Sequence, residues 1–346
     1  METLMRAAVI DGTGGPDVLR IADVPVPEPA AGEVLIRVVC AGVNPADWKC
    51  REGYLGHFMR YSFPFVIGFD VSGVVAAVGE GVIGWKPGER VFAQTDVGAG
   101  KWGSYAEYVA VSQDSVVAIP DSLGYAEAAA VPTPALAAWA GLFDEGGLKP
   151  GQTVLVHGGG GAVGTFAIQM AYAAGARVAA TCSASRCDEL KSLGCQMPID
   201  YRGGGIANAV RDWADGGVDL ALDAVGCGTL PNGLDLLKPG GILVAIMTLV
   251  SGDSGPDAAE AARRGKRTAL AYSRMPSGAR LREISALIAT GQVRPPRIEC
   301  LPLEDAAHAL GLVQSGKAPA KLVLQVGSPA EAEIETLAQR QMRSVA

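Results

Sequence analysis

The stretch VLVHGGGGAVGTFAIQMAYAAGARVAATCSAS, residues 154–185, decides the fold of this chain. A short apolar strand at 153–157 runs directly into Gly159-x-Gly161-x-x-Gly164, and apolar side chains then recur at helical spacing before a second strand begins. Glycines allow a tight turn and let backbone N–H groups approach a pyrophosphate, and the helix N-terminus adds partial positive charge. A glycine-rich loop in an ordinary α/β protein is the alternative, but the flanking strands and helix favour dinucleotide binding. The expected contact residues are Gly159, Gly161, Ala162, Val163 and Gly164.

The type of dinucleotide is decided where the second strand ends. An NAD-binding unit needs an Asp or Glu about 20 residues after the glycines, to accept a hydrogen bond from the ribose 2′-hydroxyl. No carboxylate occurs from Arg177 to Cys187, whereas Ser183 and Arg186 can donate to a 2′-phosphate. The sequence therefore predicts NADPH as the cofactor. The alternative is that Arg186 is only a solvated residue at a helix start.

The rest of the chain indicates an α/β protein with two domains. Its 346 residues exceed the ~100–200 of a single domain, and 49% hydrophobic with 19% charged residues is typical of a compact protein. Residues 4–10, 33–39, 71–78 and 106–111 are short β-branched segments between Gly and Pro clusters, which predicts that the first third is mostly β. After Pro134, strands alternate with Ala-rich helical segments, which predicts a doubly wound parallel sheet.

Composition also excludes several classes of protein. A net charge of −7 gives no general attraction to a nucleic acid or an anionic membrane. The longest apolar runs, such as 242–247, are far shorter than the roughly 20 residues that span a bilayer, and no apolar leader precedes Asp11. The seven cysteines form no CxxC pair, and an odd number favours reduced thiols. We therefore expect a cytoplasmic protein with no nucleic-acid partner and no membrane span.

Seven motifs are spread over nearly the whole chain: AGVNPADWKCREGY at 41–54, IGFDVSGVVAAVGEGV at 67–82, KPGERVFA at 86–93, VLVHGGGGAVG at 154–164, LDAVG at 222–226, LKPGG at 237–241 and PLEDAAHAL at 302–310. Together they resemble the medium-chain dehydrogenase/reductase superfamily and, within it, the zinc-free, zeta-crystallin-like quinone oxidoreductase family. The resemblance implies a GroES-like β-rich catalytic domain interrupted by a Rossmann domain, with substrate and nicotinamide in the cleft between them, and a homodimer.

The last part of the chain is expected to return to the first domain. From Arg297 it has a strand-like segment, a short helix and a closing strand, with no linker before them. Ser328-Pro329 then predicts the start of a terminal helix or a frayed tail. The expected domains are 1–128 with 297–346 for the GroES-like catalytic domain and 129–296 for the Rossmann NADPH-binding domain.

The resemblance also bears on metal binding. Zinc-dependent relatives hold the catalytic zinc with Cys, His and Cys or Asp, and these positions correspond to Asn44, Phe69 and Thr133 here. An amide, a phenyl ring and a hydroxyl cannot replace thiolate and imidazole ligands. The segment 91–108, where those relatives carry a structural-zinc lobe, contains no cysteine, and the three histidines form no motif. We therefore expect no metal site.

Three residues near the first motif are candidate catalytic residues. Asn44 can hold substrate or the nicotinamide ribose, or can instead form an Asx-turn before Pro45. Asp47 either joins the same network or begins a helix. Tyr54 occupies a position where related reductases often place a cleft tyrosine that can donate to a developing enolate; a surface tyrosine is the alternative.

Two further residues are candidate cofactor contacts. Tyr201, in the segment IDYR after the third expected Rossmann strand, resembles a family position near the adenosine phosphate; a partly buried aromatic is the alternative. Gly226 closes the LDAVG motif.

The expected reaction follows from the missing Lewis acid. Without zinc, a saturated carbonyl loses its usual electrophile, whereas a quinone or α,β-unsaturated carbonyl accepts hydride at a conjugated carbon and needs only hydrogen-bond donors and a proton. The sequence therefore favours NADPH-dependent reduction of quinones or enones. Two alternatives stay open: a 2-enoyl thioester reductase, which would use the basic run at 263–267 for a carrier phosphate, and an NADPH-binding structural or regulatory protein.

Overall fold

The computed structural model describes residues 3–226, 228–230, 232–249, 255–273 and 275–328. Within these residues the chain forms two compact units. The first contains the chain up to Thr133, 275–289 and 295–328, and the second contains the chain from Pro134 to Ser273 with 290–294.

The strands, in chain order, are β1 (Leu4–Ile10), β2 (Leu19–Pro25), β3 (Glu33–Gly42), β4 (Phe65–Val66), β5 (Asp70–Val78), β6 (Arg90–Gln94), β7 (Tyr108–Ser112), β8 (Val116–Ala118), β9 (Thr153–His157), β10 (Arg177–Cys182), β11 (Met197–Asp200), β12 (Val218–Asp223), β13 (Leu237–Ile246), β14 (Arg267–Ala271), β15 (Ile298–Pro302) and β16 (Lys321–Gln325). The α-helices are α1 (Pro45–Arg51), α2 (Tyr125–Ala129), α3 (Pro132–Trp139), α4 (Ala162–Ala173), α5 (Cys187–Ser192), α6 (Ile206–Trp213), α7 (Ala258–Arg263), α8 (Gly278–Ala289) and α9 (Ala306–Gln314).

The first unit is built around β3, which is buried along its whole length. One edge of β3 pairs antiparallel with β5. Its other edge is shared, because β7 pairs with Glu33–Arg37 and β16 pairs with Cys40–Gly42. β6 and β8 extend the sheet beyond β5, and β15 extends it beyond β16, while β2, β1 and β4 form a separate small sheet. The valine-rich strands enclose a core, so the predicted β-rich domain is confirmed.

The second unit is a six-stranded parallel sheet with the order β11-β10-β9-β12-β13-β14. Counted within the unit, this order is 3-2-1-4-5-6, which is the doubly wound order of dinucleotide-binding folds. The central strand β9 is completely buried, as expected for a strand covered on both faces. The predicted Rossmann-type parallel sheet is therefore confirmed.

The compact units change at Thr133/Pro134 and between 273 and 295, whereas the expected domain boundaries lie at 128/129 and 296/297. Those domain boundaries stay a prediction. The main difference is α8, which packs against β8 and the short turn Gln113–Ser115 in the first unit. The backbone N–H of Ser277, just before α8, donates to the Ser115 hydroxyl at 3.4 Å. The expected terminal helix or tail beginning at Pro329 lies outside the described residues. None of the helices in the described part of the chain is long and apolar enough to cross a membrane.

Candidate functional site

The glycine turn after β9 has a strict steric requirement at one position. A Cβ atom at Gly164 would lie 2.2 Å from the carbonyl oxygen of Gly158 and 2.6 Å from the Cα of Gly159, so only glycine lets α4 pack directly on the turn. Gly158 itself has φ +82°, a conformation that favours glycine. The sequence pattern therefore identified the turn, and its third glycine is required by packing inside the protein.

Gly161, in the same turn, has no such internal requirement. It is the residue before α4, and a Cβ there would meet only the Gly158 carbonyl oxygen, at an ordinary 3.4 Å. The open space lies at the N-terminus of a twelve-residue helix, whose first N–H groups have no partner within the helix. These groups belong to Ala162, Val163 and Gly164. The turn therefore fits a pyrophosphate, whose oxygens would accept from these N–H groups.

A histidine and a threonine hold the turn in place. Thr181 on β10 accepts the Gly158 N–H on its hydroxyl at 3.0 Å and the Gly159 N–H on its carbonyl at 2.8 Å. His157 pairs through Nδ1 with the same hydroxyl at 2.8 Å and through Nε2 with the Thr229 hydroxyl at 3.2 Å. Burial lowers the pKa of His157, against the opposing charge of Asp223, and so favours the neutral ring. Sequence reasoning missed this support, because Thr181 and Thr229 are 24 and 72 residues away from His157.

Gly226 lies at the same edge of the sheet, just beyond the end of β12. The carboxylate of Asp223, the last residue of β12, accepts the N–H groups of Val225 and Gly226, each at 2.9 Å. Asp223 is also the register partner of His157 at the end of β9. The structure therefore brings Gly226 and the glycine turn to neighbouring strand ends, which is where ligands bind in parallel sheets.

Ser183 and Arg186 form the turn between β10 and α5. The Arg186 guanidinium pairs with Glu189, with Nε 2.7 Å from Oε2, and a Cβ placed on Gly160 would be 3.8 Å from Cγ of Arg186. Arg186 thus lies beside the glycine turn. The Ser183 hydroxyl is 3.2 Å from that of Ser185.

Tyr201 follows the next strand, β11, and is 47% exposed with the Arg202 guanidinium over its ring. The register also places the Asp200 carboxylate opposite Cys182, and this carboxylate accepts the Arg202 N–H at 3.1 Å. Tyr201 and the predicted phosphate residues therefore follow adjacent strands.

The first unit brings Asn44 and Asp47 together in a buried polar cluster. Asn44 precedes α1, and the Asp47 carboxylate accepts the Asn44 N–H at 2.6 Å and the Phe69 N–H at 3.1 Å. The Asn44 amide donates to Asp70 at 2.8 Å and accepts from the Lys321 ammonium at 2.5 Å. Both ends of this amide are thus fixed by charged partners.

Two members of this cluster were absent from the sequence-based candidates. Asp70 accepts from the backbone N–H and the hydroxyl of Thr133, at 2.8 and 2.6 Å, and Lys321 lies 277 residues from Asn44. Each is a single charged residue in an otherwise apolar strand, FDVSGVVAAV and KLVLQV, and this pattern was the available signal. We name Asn44, Asp47, Asp70 and Lys321, together with the partly buried Thr133, the buried polar cluster.

Burial sets the protonation tendencies of the buried polar cluster. It raises the pKa of Asp47 to about 7, with hydrogen bonds from Asn44 and Phe69 opposing the shift. It also raises the pKa of Asp70 and lowers that of Lys321, and the attraction between Lys321 and the carboxylates works against both shifts. The Lys321 ammonium is the compensating charge for two carboxylates with no exposed surface.

Tyr54 lies apart from these buried residues, in the turns that follow α1. It is 40% exposed, and its ring meets that of Trp48 edge-on at 5.9 Å. Its hydroxyl makes no hydrogen bond within the described part of the chain. Of the three catalytic candidates, Tyr54 is the one with an accessible, uncommitted donor.

At the positions expected for zinc ligands, the structure places an amide, a phenyl ring and a hydroxyl. The Asn44 amide and the Thr133 hydroxyl both donate to Asp70. Across the described ranges, no group of three or more His, Cys, Asp or Glu residues could hold a metal ion.

Two known domain families match this chain. The alcohol dehydrogenase GroES-like domain matches residues 30–121, and the zinc-binding dehydrogenase domain matches residues 193–324. Together with the doubly wound sheet, these matches define a medium-chain dehydrogenase/reductase.

Proteins that are similar to this chain identify its family within this superfamily. The chain is 34% identical to the NAD(P)H oxidoreductase RTN4IP1, mitochondrial, of Danio rerio, over 94% of this chain and 92% of that one. It is 31% identical to the quinone oxidoreductase of Sus scrofa, over 93% and 98%. The quinone oxidoreductase structure from Coxiella burnetii matches with a TM-score of 0.81 and 30% identity, over 94% and 100%. The chain therefore belongs to the quinone oxidoreductase family and is an NAD(P)H-dependent oxidoreductase.

Proposed function

We propose that the protein reduces quinones or α,β-unsaturated carbonyls by hydride transfer from NADPH, without a metal ion. The observation that carries this proposal is the chemistry of the buried polar cluster. Where zinc-dependent relatives place metal ligands, this chain has an amide and a hydroxyl that are already bonded to Asp70. Such groups offer no Lewis acid to a carbonyl, so conjugated acceptors are the easier class of substrate.

The chain's own residues have a limited task in this reaction. NADPH supplies the hydride when it is bound. The glycine turn holds the pyrophosphate, and the Tyr54 hydroxyl donates to the oxygen on which negative charge develops. Asp70 and Lys321 fix the orientation of the Asn44 amide, which is 2% exposed and has one N–H beyond the one that Asp70 accepts. Asp47 holds the backbone of Asn44 and Phe69 and thereby positions the start of α1.

The preference for NADPH rests on Arg186 and Ser183. Replacing Arg186 by alanine should weaken NADPH binding about tenfold or more and leave NADH binding almost unchanged, because a charge-assisted hydrogen bond contributes about 1.5–3 kcal/mol. Dissociation constants measured by cofactor fluorescence test this. The matched control is Arg211→Ala, an exposed arginine on α6 that bonds to Asn208 of the same helix. Equal weakening of both cofactors, or tighter binding of NADH by the wild type, would refute the assignment.

The acceptor class is tested by substrate screening. We expect NADPH oxidation with simple quinones and enones and none with the matching saturated ketones, since only a conjugated acceptor spreads the incoming charge. Product analysis should show reduction at the conjugated carbon. Turnover of saturated ketones in preference to enones would contradict the proposed reaction. If the protein binds NADPH but turns over none of these substrates, the result would favour the structural or regulatory alternative over a quinone or enone reductase.

The thioester alternative receives less support from the structure. It needs cationic groups free to bind a carrier phosphate, but the basic run at 263–267 is already engaged. Arg263 pairs with Glu260 and Arg264 with Asp235, and the Lys266 ammonium and the Arg267 guanidinium donate to backbone carbonyls of the same unit. Small quinones and enones therefore remain the favoured substrates. The expected homodimer and cytoplasmic location stay predictions.

A further inference from the structure

Three thiols lie close to one another where β10 ends. Cys182 is the last residue of β10, Cys187 is the first residue of α5, and their Sγ atoms are 3.7 Å apart. Cys195 is near enough to raise the pKa of Cys182, and Cys187 is near enough to raise the pKa of Cys195. All three are free thiols in the structure. The residues enclosed between the first two cysteines are 183–186, the turn that carries both predicted phosphate contacts.

We propose that Cys182 and Cys187 form a reversible disulfide when the protein meets hydrogen peroxide or another hydroperoxide, and that this bond weakens NADPH binding by the turn it encloses. Formation of the disulfide stands on the geometry of the two thiols alone. Its effect on NADPH rests on the proposed function, in which Ser183 and Arg186 bind the 2′-phosphate.

The geometry requires only a small movement. A disulfide has an S–S length of about 2.05 Å, so the two sulfurs must approach by roughly 1.6 Å from their present separation. Cys182 is buried within a sheet strand, whereas Cys187 is partly exposed and begins a short helix after a single 3₁₀ turn. Cys187 is therefore the residue that moves and the one that a hydroperoxide reaches first.

The chemistry proceeds in two balanced steps. The Cys187 sulfur attacks the peroxide, so that an S–O bond forms, the O–O bond breaks and one water leaves, giving a sulfenic acid. The Cys182 sulfur then attacks the Cys187 sulfur; the S–S bond forms, the S–O bond breaks, and the oxygen leaves as a second water with the Cys182 proton. Two thiols are oxidised and one peroxide is reduced. Burial raises the pKa of Cys182 to about 12, which keeps it a thiol until this second step.

The consequence for the cofactor follows from the position of Arg186. Arg186 directly precedes Cys187, so drawing Cys187 toward β10 displaces the guanidinium that now pairs with Glu189 beside the glycine turn. A shift of about 1 Å is enough to lose a well-placed polar contact. We expect the oxidised protein to bind NADPH about tenfold more weakly than the reduced protein, the effect of one charge-assisted bond, with NADH binding unchanged.

Peptide mapping tests the disulfide directly. Trypsin cuts between Arg186 and Cys187 and yields peptides 178–186 and 187–191, which the disulfide would hold together. After peroxide treatment of the reduced full-length protein, we expect this linked pair, lighter than the two peptides by two hydrogen atoms and separated by dithiothreitol. Cys187→Ser should abolish it, and Cys300→Ser, which removes an exposed thiol elsewhere, should leave it unchanged. A link to Cys195 instead, or oxidation of Cys187 without any link, would overturn the proposal.

The cofactor effect is tested separately. NADPH affinity should fall on oxidation of the wild type, recover with dithiothreitol, and be insensitive to peroxide in Cys187→Ser. A linked peptide with unchanged NADPH affinity would refute the regulatory effect. If the reduced protein already binds NADH as well as NADPH, the proposed cofactor preference fails, and the peptide map still decides whether the disulfide forms.

Discussion

Replacing Lys321 by methionine should lower the free energy of unfolding by about 3–5 kcal/mol, because the change leaves two buried carboxylates without their compensating cation. The ammonium donates to the Asn44 amide oxygen and, at 2.8 Å, to the Val43 carbonyl, and both acceptors would lose their partner. Methionine has nearly the same length as lysine, so little packing is lost and the electrostatic effect dominates. Urea unfolding of the variant and the wild type measures the difference.

The control for this variant is Lys317→Met, at an exposed site four positions earlier in the chain, which should change stability little. A double-mutant cycle sharpens the test. Asp70→Asn removes one carboxylate and lets the Asn44 amide turn over to face the new side chain. The free energy of unfolding that the double variant Asp70→Asn with Lys321→Met loses should therefore be smaller than the sum of the losses in the two single variants. Additive losses would mean that Lys321 does not compensate the charge of Asp70.

The stability loss should also depend on pH. Burial raises the pKa of Asp47 to about 7, above the ordinary carboxyl value of about 4. The stabilisation that is linked to this shift is therefore fully present below pH ~4 and is lost as the pH rises toward 7. The attraction of Lys321 opposes this shift, so its removal extends the proton binding of Asp47 to higher pH. Lys321→Met should therefore be less destabilising at pH ~5 than at pH ~8. An equal loss at both values would count against a buried charge as the cause.

Replacing Tyr54 by phenylalanine should lower turnover roughly a hundredfold or more, because a donor to a developing oxyanion contributes about 2.7–4 kcal/mol. The tyrosine is partly exposed and its hydroxyl makes no hydrogen bond in the described part of the chain, so the loss of that oxygen should leave folding and NADPH binding intact. Steady-state kinetics with an enone or a quinone at saturating NADPH provide the measurement.

Tyr172→Phe, the same chemical change at an exposed position on α4, is the matched control and should have no effect. Asn44→Ala should lower turnover by a similar factor, but it should also lower stability, because its amide joins Asp70 to Lys321. If Tyr54→Phe and Asn44→Ala both keep nearly wild-type turnover, the catalytic assignment is wrong, although the reaction class can still stand.

Local patterns predicted the fold well, because each rests on neighbouring residues. The strand expected at 153–157 and the glycine turn are found where their spacing places them. Strand β13 begins at Leu237, before its apolar run 242–247, because Leu237 already pairs with Val218. Register partners resume only at Ile242, so the residues KPGG between them keep the turn character of their composition, with Gly240 at φ +75°.

The candidate site was predicted less completely, because its contacts join distant parts of the chain. Sequence motifs identified Asn44 and Asp47, but the partners that fix them, Asp70 and Lys321, are 26 and 277 residues from Asn44. The same holds for His157, whose role depends on threonines from two other segments. Residue type and spacing indicate that a polar group is present, whereas tertiary pairing decides which group it meets.

The shared edge of β3 also constrains the order in which this protein assembles. Residues 40–42 pair with β16, so the first unit lacks its final strand until residue 325 has been synthesised. The whole second unit, residues 134–273 with 290–294, leaves the ribosome in between, and N-terminal domains ordinarily fold first during synthesis. Here the parallel sheet can fold before the unit that precedes it in the chain. Until β16 arrives, Asp47 and Asp70 lack the ammonium of Lys321, so a nascent chain that stops short of residue 321 has no cation to close this cluster.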